Sequence, residues 1–356
     1  MPAAKAVLVA LLTALAATTP VAAAPDTRPL PDSILMNPGK MITVDGTRRI
    51  NLSCMGHGSP TVLFDAGAGD STLSWALVQG EVAKLTRACA YDRAGIGFSD
   101  PRKGEIDAKA AVADIHALLM AAGIKEPILY VGHSLAGVYG VLLAASHPGD
   151  LAGAVLVDPA FAGEWKNMLA ASIAAGASPA TVDAFVTRFK AQVQRYRQCA
   201  ALAAPLPDDC AERDTRLPSE LADFKKVQMS RSSYLLTRAS ELENAGPTRD
   251  GTNVDEKELE AAAAKFGDKV LIVLTRGNID NAIPEFTSEQ GAAMYQAWAA
   301  GHEKLATLST RGSHRVIAGS GHYIQYNKPL DVIDAVKQAL TEIRSRKQTP
   351  QLVRVK

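Results

Sequence analysis

The sequence has no charge to spare for a polyanionic partner: 38 Lys and Arg stand against 37 Asp and Glu, a formal +1 at pH 7. That balance argues against a protein that depends on a basic face to hold nucleic acid or an anionic membrane. Beyond the first two dozen residues no apolar run reaches the ~20 residues that a membrane span needs. The 4 cysteines lack close metal-ligand spacing and no His-Glu-x-x-His occurs, so no metal is expected. Glycine is common, but the Gly-x-Gly of "YDRAGIGFSD" is not the Gly-x-Gly-x-x-Gly that opens a helix in a dinucleotide site, and no cofactor is implied. Aromatic residues make up only 5% of the chain.

Residues 1–24, "MPAAKAVLVALLTALAATTPVAAA", combine one lysine, an apolar stretch from Ala6 to Ala17 and small residues behind it. Val21 and Ala23 give the small-x-small pattern of an export signal cut after residue 23, and the apolar stretch is too short for an anchor. The expected mature chain is therefore periplasmic or secreted, with no stable membrane anchor after cleavage. Residues 24–39, with 4 prolines between 25 and 38, read as a leader lying on the surface. In an oxidising compartment an even number of cysteines suggests disulfides. Cys199 and Cys210 flank a Pro-containing turn and would close a short loop, which leaves Cys54 with Cys89; the alternative is buried free thiols.

From Met41 the order of elements is informative. "MITVDGTRRINLSC" reads as a hairpin about Asp45-Gly46. Apolar runs then alternate with amphipathic stretches: strand "TVLFDAG", a helix over 73–86, strand "ACAYD", a helix ending at Gly123, strand "PILYVG", helix "LAGVYGVLLAASH" and strand "GAVLVD". Continuous apolar runs between helices predict an α/β fold, a mostly parallel eight-stranded sheet with helices on both faces. The rhythm stops at Pro159 and resumes only with "KVLIVLT", "HRVIAG" and a final helix to Arg346. Residues 159–266 therefore read as a helical cap inserted after strand six of a core formed by 40–158 and 267–346, with 347–356 as a C-terminal tail.

Within this order Ser134 of "YVGHSLAGVYG" stands where a strand runs directly into a helix. A Gly-x-Ser-x-Gly string means little as text, but a strand–turn–helix setting is what a nucleophile elbow needs: the sharp turn exposes the seryl oxygen and crowds its neighbours. Gly132 meets the demand for a small residue two positions before. Ala136 meets the second demand imperfectly, with Gly137 just behind it, which predicts slightly looser strand–helix packing.

The passages "GSPTVLFDAGAGDSTLSW", "ACAYDRAGIGFSDP", "VGHSLAG", "VLVDP" and "GSGHYIQYNKP", in this order, resemble the α/β-hydrolase superfamily over about residues 40–345, and within it capped serine hydrolases of the bacterial esterase type. The resemblance implies Ser134 as nucleophile and His322, on the loop after the last strand, as its base. Two residues fit the orienting acid in the chain order Ser, Asp, His: Asp158, which ends the sixth strand, and Asp280 in "RGNIDNAIP". The resemblance favours Asp158, with Asp280 as the alternative. It also implies an oxyanion hole made by the backbone N–H groups of Leu135 and Ala68, with Gly67 and Gly69 letting that loop approach the substrate. "YDRAGIGFSD" is a structural turn in such proteins, and His133 is structural.

A serine with a base implies ester hydrolysis through an acyl-enzyme. An Ala-rich cap with few aromatics suggests a small-molecule ester with a small or medium apolar acyl group. Amide, lactone and perhydrolase chemistry use the same residues, and a noncatalytic ligand-binding protein of this fold is the alternative outside enzymes.

Overall fold

The computed structural model describes residues 31–263, 265–278 and 283–348. The expected signal segment, the end of the tail and Asp280 lie outside these. Eight strands form one sheet in the order β1-β2-β4-β3-β5-β6-β7-β8. They are β1 Lys40–Val44, β2 Arg48–Met55, β3 Val62–Asp65, β4 Ala88–Tyr91, β5 Ile128–His133, β6 Leu151–Val157, β7 Gly267–Arg276 and β8 Ser309–Ile317. β2 runs antiparallel to both its neighbours and all other pairs are parallel, so the expected mostly parallel α/β sheet is present.

Successive side chains on a strand face opposite sides, and both sides are covered. Leu63, Tyr130 and Leu156 pack with helices Ala108–Ala121 and Ala136–Ser146, while Phe64, Val131 and Val157 pack with Trp75, Val82 and the inner face of helix Pro329–Gln348. Because neither face meets water, β3, β4 and β5 are buried at every position, which is why they read as unbroken apolar runs. Between β6 and β7 lie helices Glu164–Ala174, Pro179–Ala200, Ser219–Met229, Ser232–Ala245 and Val254–Ala262, the expected helical insertion. No helix among the described residues is long and apolar enough to cross a membrane.

Cys54 and Cys89 face each other in register on β2 and β4 and are bonded, as are Cys199 and Cys210 in the insertion. Two local expectations change. The single helix over 73–86 is a 3₁₀ turn, Thr72–Trp75, followed by the short helix Gln79–Ala83; Ser71 caps the first turn and Trp75 is pulled inward against Phe64, ring centroids 4.9 Å apart. The leader is also not wholly superficial, since Leu35 is buried with Leu73, Leu217 and Leu221.

Candidate active site

The parallel strands β3, β5, β6, β7 and β8 bring their carboxyl ends to one edge, where α/β proteins collect their chemistry. Ser134 follows β5 immediately and has φ +54°. Among the described residues only four non-glycine residues have positive φ, and Asp158, at the end of β6, is another, at +43°. Left-handed backbone costs such residues about 1–3 kcal/mol and persists only where the surroundings over-determine it. Here they do: Ser134 N–H donates to Val157 O at 3.1 Å, Ser134 O accepts from Gly137 and Ala160 at 2.8 Å each, and Asp158 N–H donates to Leu274 O at 2.7 Å.

The tight contacts of the turn fall on glycines. A Cβ on Gly132 would lie 2.7 Å from the Tyr130 ring and 2.9 Å from Ala136 O, and one on Gly137 would lie 2.3 Å from Pro159 Cβ. Ala136 itself is fully buried, and its carbonyl accepts from Tyr130 Oη at 2.9 Å.

Ser134 Oγ lies 3.0 Å from His322 Nε2, and His322 Nδ1 lies 2.5 Å from Asp158 Oδ2. A carboxylate can only accept, so Nδ1 carries the proton and Nε2 is left to accept from the serine. Asp158 is wholly buried, and its Oδ1 accepts from Trp298 Nε1 and from the Arg276 backbone N–H, both at 3.0 Å. The Arg276 guanidinium donates to Oδ2 at 2.7 Å and lies 4.9 Å from the centre of the Trp298 ring. Burial alone would raise the Asp158 carboxyl; the His322 hydrogen bond and the Arg276 cation outweigh it and hold the group well below the usual carboxylate range.

His133 packs against His322, ring centroids 4.7 Å apart. Its Nε2 donates to the His322 carbonyl at 3.0 Å, and burial pushes the ring down to about 3, so it is neutral. His302 is buried between Thr275 and the Pro159 carbonyl, and His314 shares that same threonine. His116 stacks on His147 and bonds Asp150, the described residues' one cluster of metal-ligand type. None of these reaches Ser134.

On the opposite side, the loop after β3 runs against the serine: a Cβ on Gly67 would lie 3.2 Å from Ser134 Cβ. Gly69, at φ +68°, holds a backbone conformation that an L side chain would strain, and its Cβ would lie 2.0 Å from the Arg238 guanidinium of the insertion. Arg276, Trp298, Arg238 and Glu241 were not singled out by the sequence; their partners are remote in the chain and no local pattern marks them.

The sequence profile of the alpha/beta hydrolase family matches residues 62–335. The chain belongs to the alpha/beta hydrolase family. As an alpha/beta hydrolase it is 35% identical over 121 residues to the uncharacterized protein YqjL of Bacillus subtilis, a match covering 34% of this chain and 48% of that one. The chain thus spans about half the length of this curated relative, and less of others. Among solved structures of the fold it resembles a thermophilic esterase from Thermogutta terrifontis, with TM-score 0.56, 18% identity, and coverage of 85% of this chain and 98% of the other. It resembles the epoxide hydrolase CorEH as closely, with TM-score 0.57, 17% identity, and coverage of 86% and 99%.

Proposed function

We propose that this alpha/beta hydrolase cleaves a carboxylic ester through an acyl-enzyme on Ser134. The observation that carries the reading is the pair of hydrogen-bond distances linking Ser134 Oγ, His322 and Asp158 in series. A serine at this turn also argues against epoxide or haloalkane hydrolysis, whose enzymes place an aspartate there. In the reaction Ser134 Oγ bonds to the ester carbonyl carbon as its proton passes to His322 Nε2. That proton then goes to the departing alcohol as the C–O bond breaks. Water, deprotonated by the same nitrogen, releases the acid and restores the serine. Asp158 keeps the Nδ1 proton in place and offsets the imidazolium charge. The N–H groups of Leu135 and Ala68 are the proposed oxyanion donors; the closeness of Gly67 to Ser134 supports this.

A fluorophosphonate probe tests the reading: folded protein should be labelled on Ser134, and absence of labelling sinks it. A panel of p-nitrophenyl esters of increasing chain length beside the matching anilides then fixes the leaving group and acyl size, with short esters expected to turn over fastest. Export is part of the same proposal. It is supported by the two disulfides, since thiols stay reduced in most cytosols, and N-terminal sequencing of the secreted or periplasmic protein should begin at Ala24.

A further inference from the structure

The loop that carries Ala68 is gripped from behind by the helical insertion. Arg93, buried at 4% exposure, donates through Nη1 to Ala66 O and through Nη2 to Gly67 O, both at 2.6 Å, and through Nη1 to Asp65 at 2.7 Å. Its Nε donates to Glu241 Oε1 at 2.7 Å, and the other oxygen of Glu241 accepts from Gly69 N–H at 2.7 Å. Glu241 has no exposed surface. It sits on helix Ser232–Ala245, beside Arg238, whose Nη1 donates to Ala68 O at 3.0 Å.

These contacts fix direction as well as position. A trans peptide holds its C=O and N–H on opposite edges of one plane. Gly67 O and Ala68 N–H belong to the same plane, so a guanidinium bound to that oxygen turns the N–H the other way. It also polarises it, because hydrogen bonds in series strengthen one another at low dielectric. The next plane is held at both edges: its carbonyl, Ala68 O, by Arg238 and its N–H, on Gly69, by Glu241. Arg93 could not keep this orientation alone, because a buried cation needs its anions, and Glu241 supplies one of the two.

We infer that Glu241 is a positioning residue for the Ala68 oxyanion donor, so that docking of the insertion completes the oxyanion hole. The inference rests on the serine-hydrolase reading and adds to it a catalytic consequence of a residue far from the serine in the chain.

Steady-state hydrolysis of p-nitrophenyl butyrate by full-length wild type, Glu241→Gln and Glu241→Ala tests it. Loss of an oxyanion donor costs about 10²- to 10³-fold in kcat; mispositioning one should cost roughly tenfold in Glu241→Gln, which can still accept from Gly69, and roughly 10²-fold in Glu241→Ala. KM should stay within about twofold, since ground-state binding is untouched. An alkylboronic acid, which becomes tetrahedral on the serine, should lose affinity in step with kcat, while planar butyrate should not. Should Glu241→Ala fail to fold, Glu241→Gln and Arg238→Gln carry the decision. Folded Glu241→Gln with wild-type kcat, or a loss confined to KM, or equal loss of boronate and butyrate binding, overturns the inference. A wild type inert to esters and to the fluorophosphonate overturns the hydrolase reading along with it.

Discussion

Asp158 and Glu164 are two buried carboxyl groups a few residues apart in the chain, and they are held in opposite states. Asp158 meets an imidazole, a guanidinium, an indole N–H and a backbone N–H, and stays ionised. Glu164 begins the first helix of the insertion, in a seam with Asp255 and Glu256; burial pushes it up to about 8, and the charges of Asp158 and Glu256 add to this. Asp255, which accepts from the Ala108 N–H, is pushed by burial to about 7. Burial is common to both places, so partners decide the charge. Asp158 is bonded to cations and N–H donors, whereas at Glu164 burial outweighs the nearby Arg276 cation.

Asp158→Asn breaks the comparison most severely. An amide cannot keep the Nδ1 proton on His322 and can hold the ring in the wrong tautomer. In serine-hydrolase triads that change costs about 10⁴-fold in kcat, and the same loss is expected here for ester hydrolysis. Loss of less than about tenfold would mean that another acid, with Asp280 the candidate, does the work. Arg276→Met removes the cation but leaves the carboxylate its imidazole, indole and backbone partners. A hydrogen bond to a charged group is worth about 1.5–3 kcal/mol, so kcat should fall roughly 10- to 10²-fold. Undiminished kcat in this variant would show that Trp298 and the backbone suffice to orient the acid.

How far the sequence carried this site follows from where the partners lie. Ser134 is legible because its strand, turn and helix are contiguous in text, and His322 because a resemblance attached it to the last strand. Asp158 and Asp280 could not be separated by text, since both follow buried strands and both precede His322. Among the described residues Asp158 is hydrogen-bonded to His322, while Asp280 lies outside them. Arg276 and Trp298 were invisible for a related reason: they reach Asp158 from 118 and 140 residues away. The same holds for Glu241, which meets Arg93 and Gly69 across 148 and 172 residues. The 3₁₀ turn at Thr72–Trp75 was missed because helical periodicity over 73–86 registers apolar spacing and not the inward pull of Trp75.

The smallest effect sharpens the other half of the comparison. Glu164 titrates near 4.5 when unfolded and at about 8 when folded. Between those values the unfolded chain has released a proton that the folded chain keeps, so stability falls as pH rises from 4.5 to 8 and levels off above. Asp158 has the opposite sign, stabilising the fold above its unfolded value and losing that contribution as pH falls. Glu164→Gln keeps a neutral group of the same shape and should leave ester turnover unchanged. It should be more stable than wild type at pH 8, on the order of 4 kcal/mol, a rise of several degrees in Tm, and equal to it near pH 4. Scanning calorimetry of the two proteins at both pH values decides the point. An advantage that is the same at pH 4 and pH 8 would mean that Glu164 is ionised in the fold after all, and that the seam holds a charge by means other than those that serve Asp158.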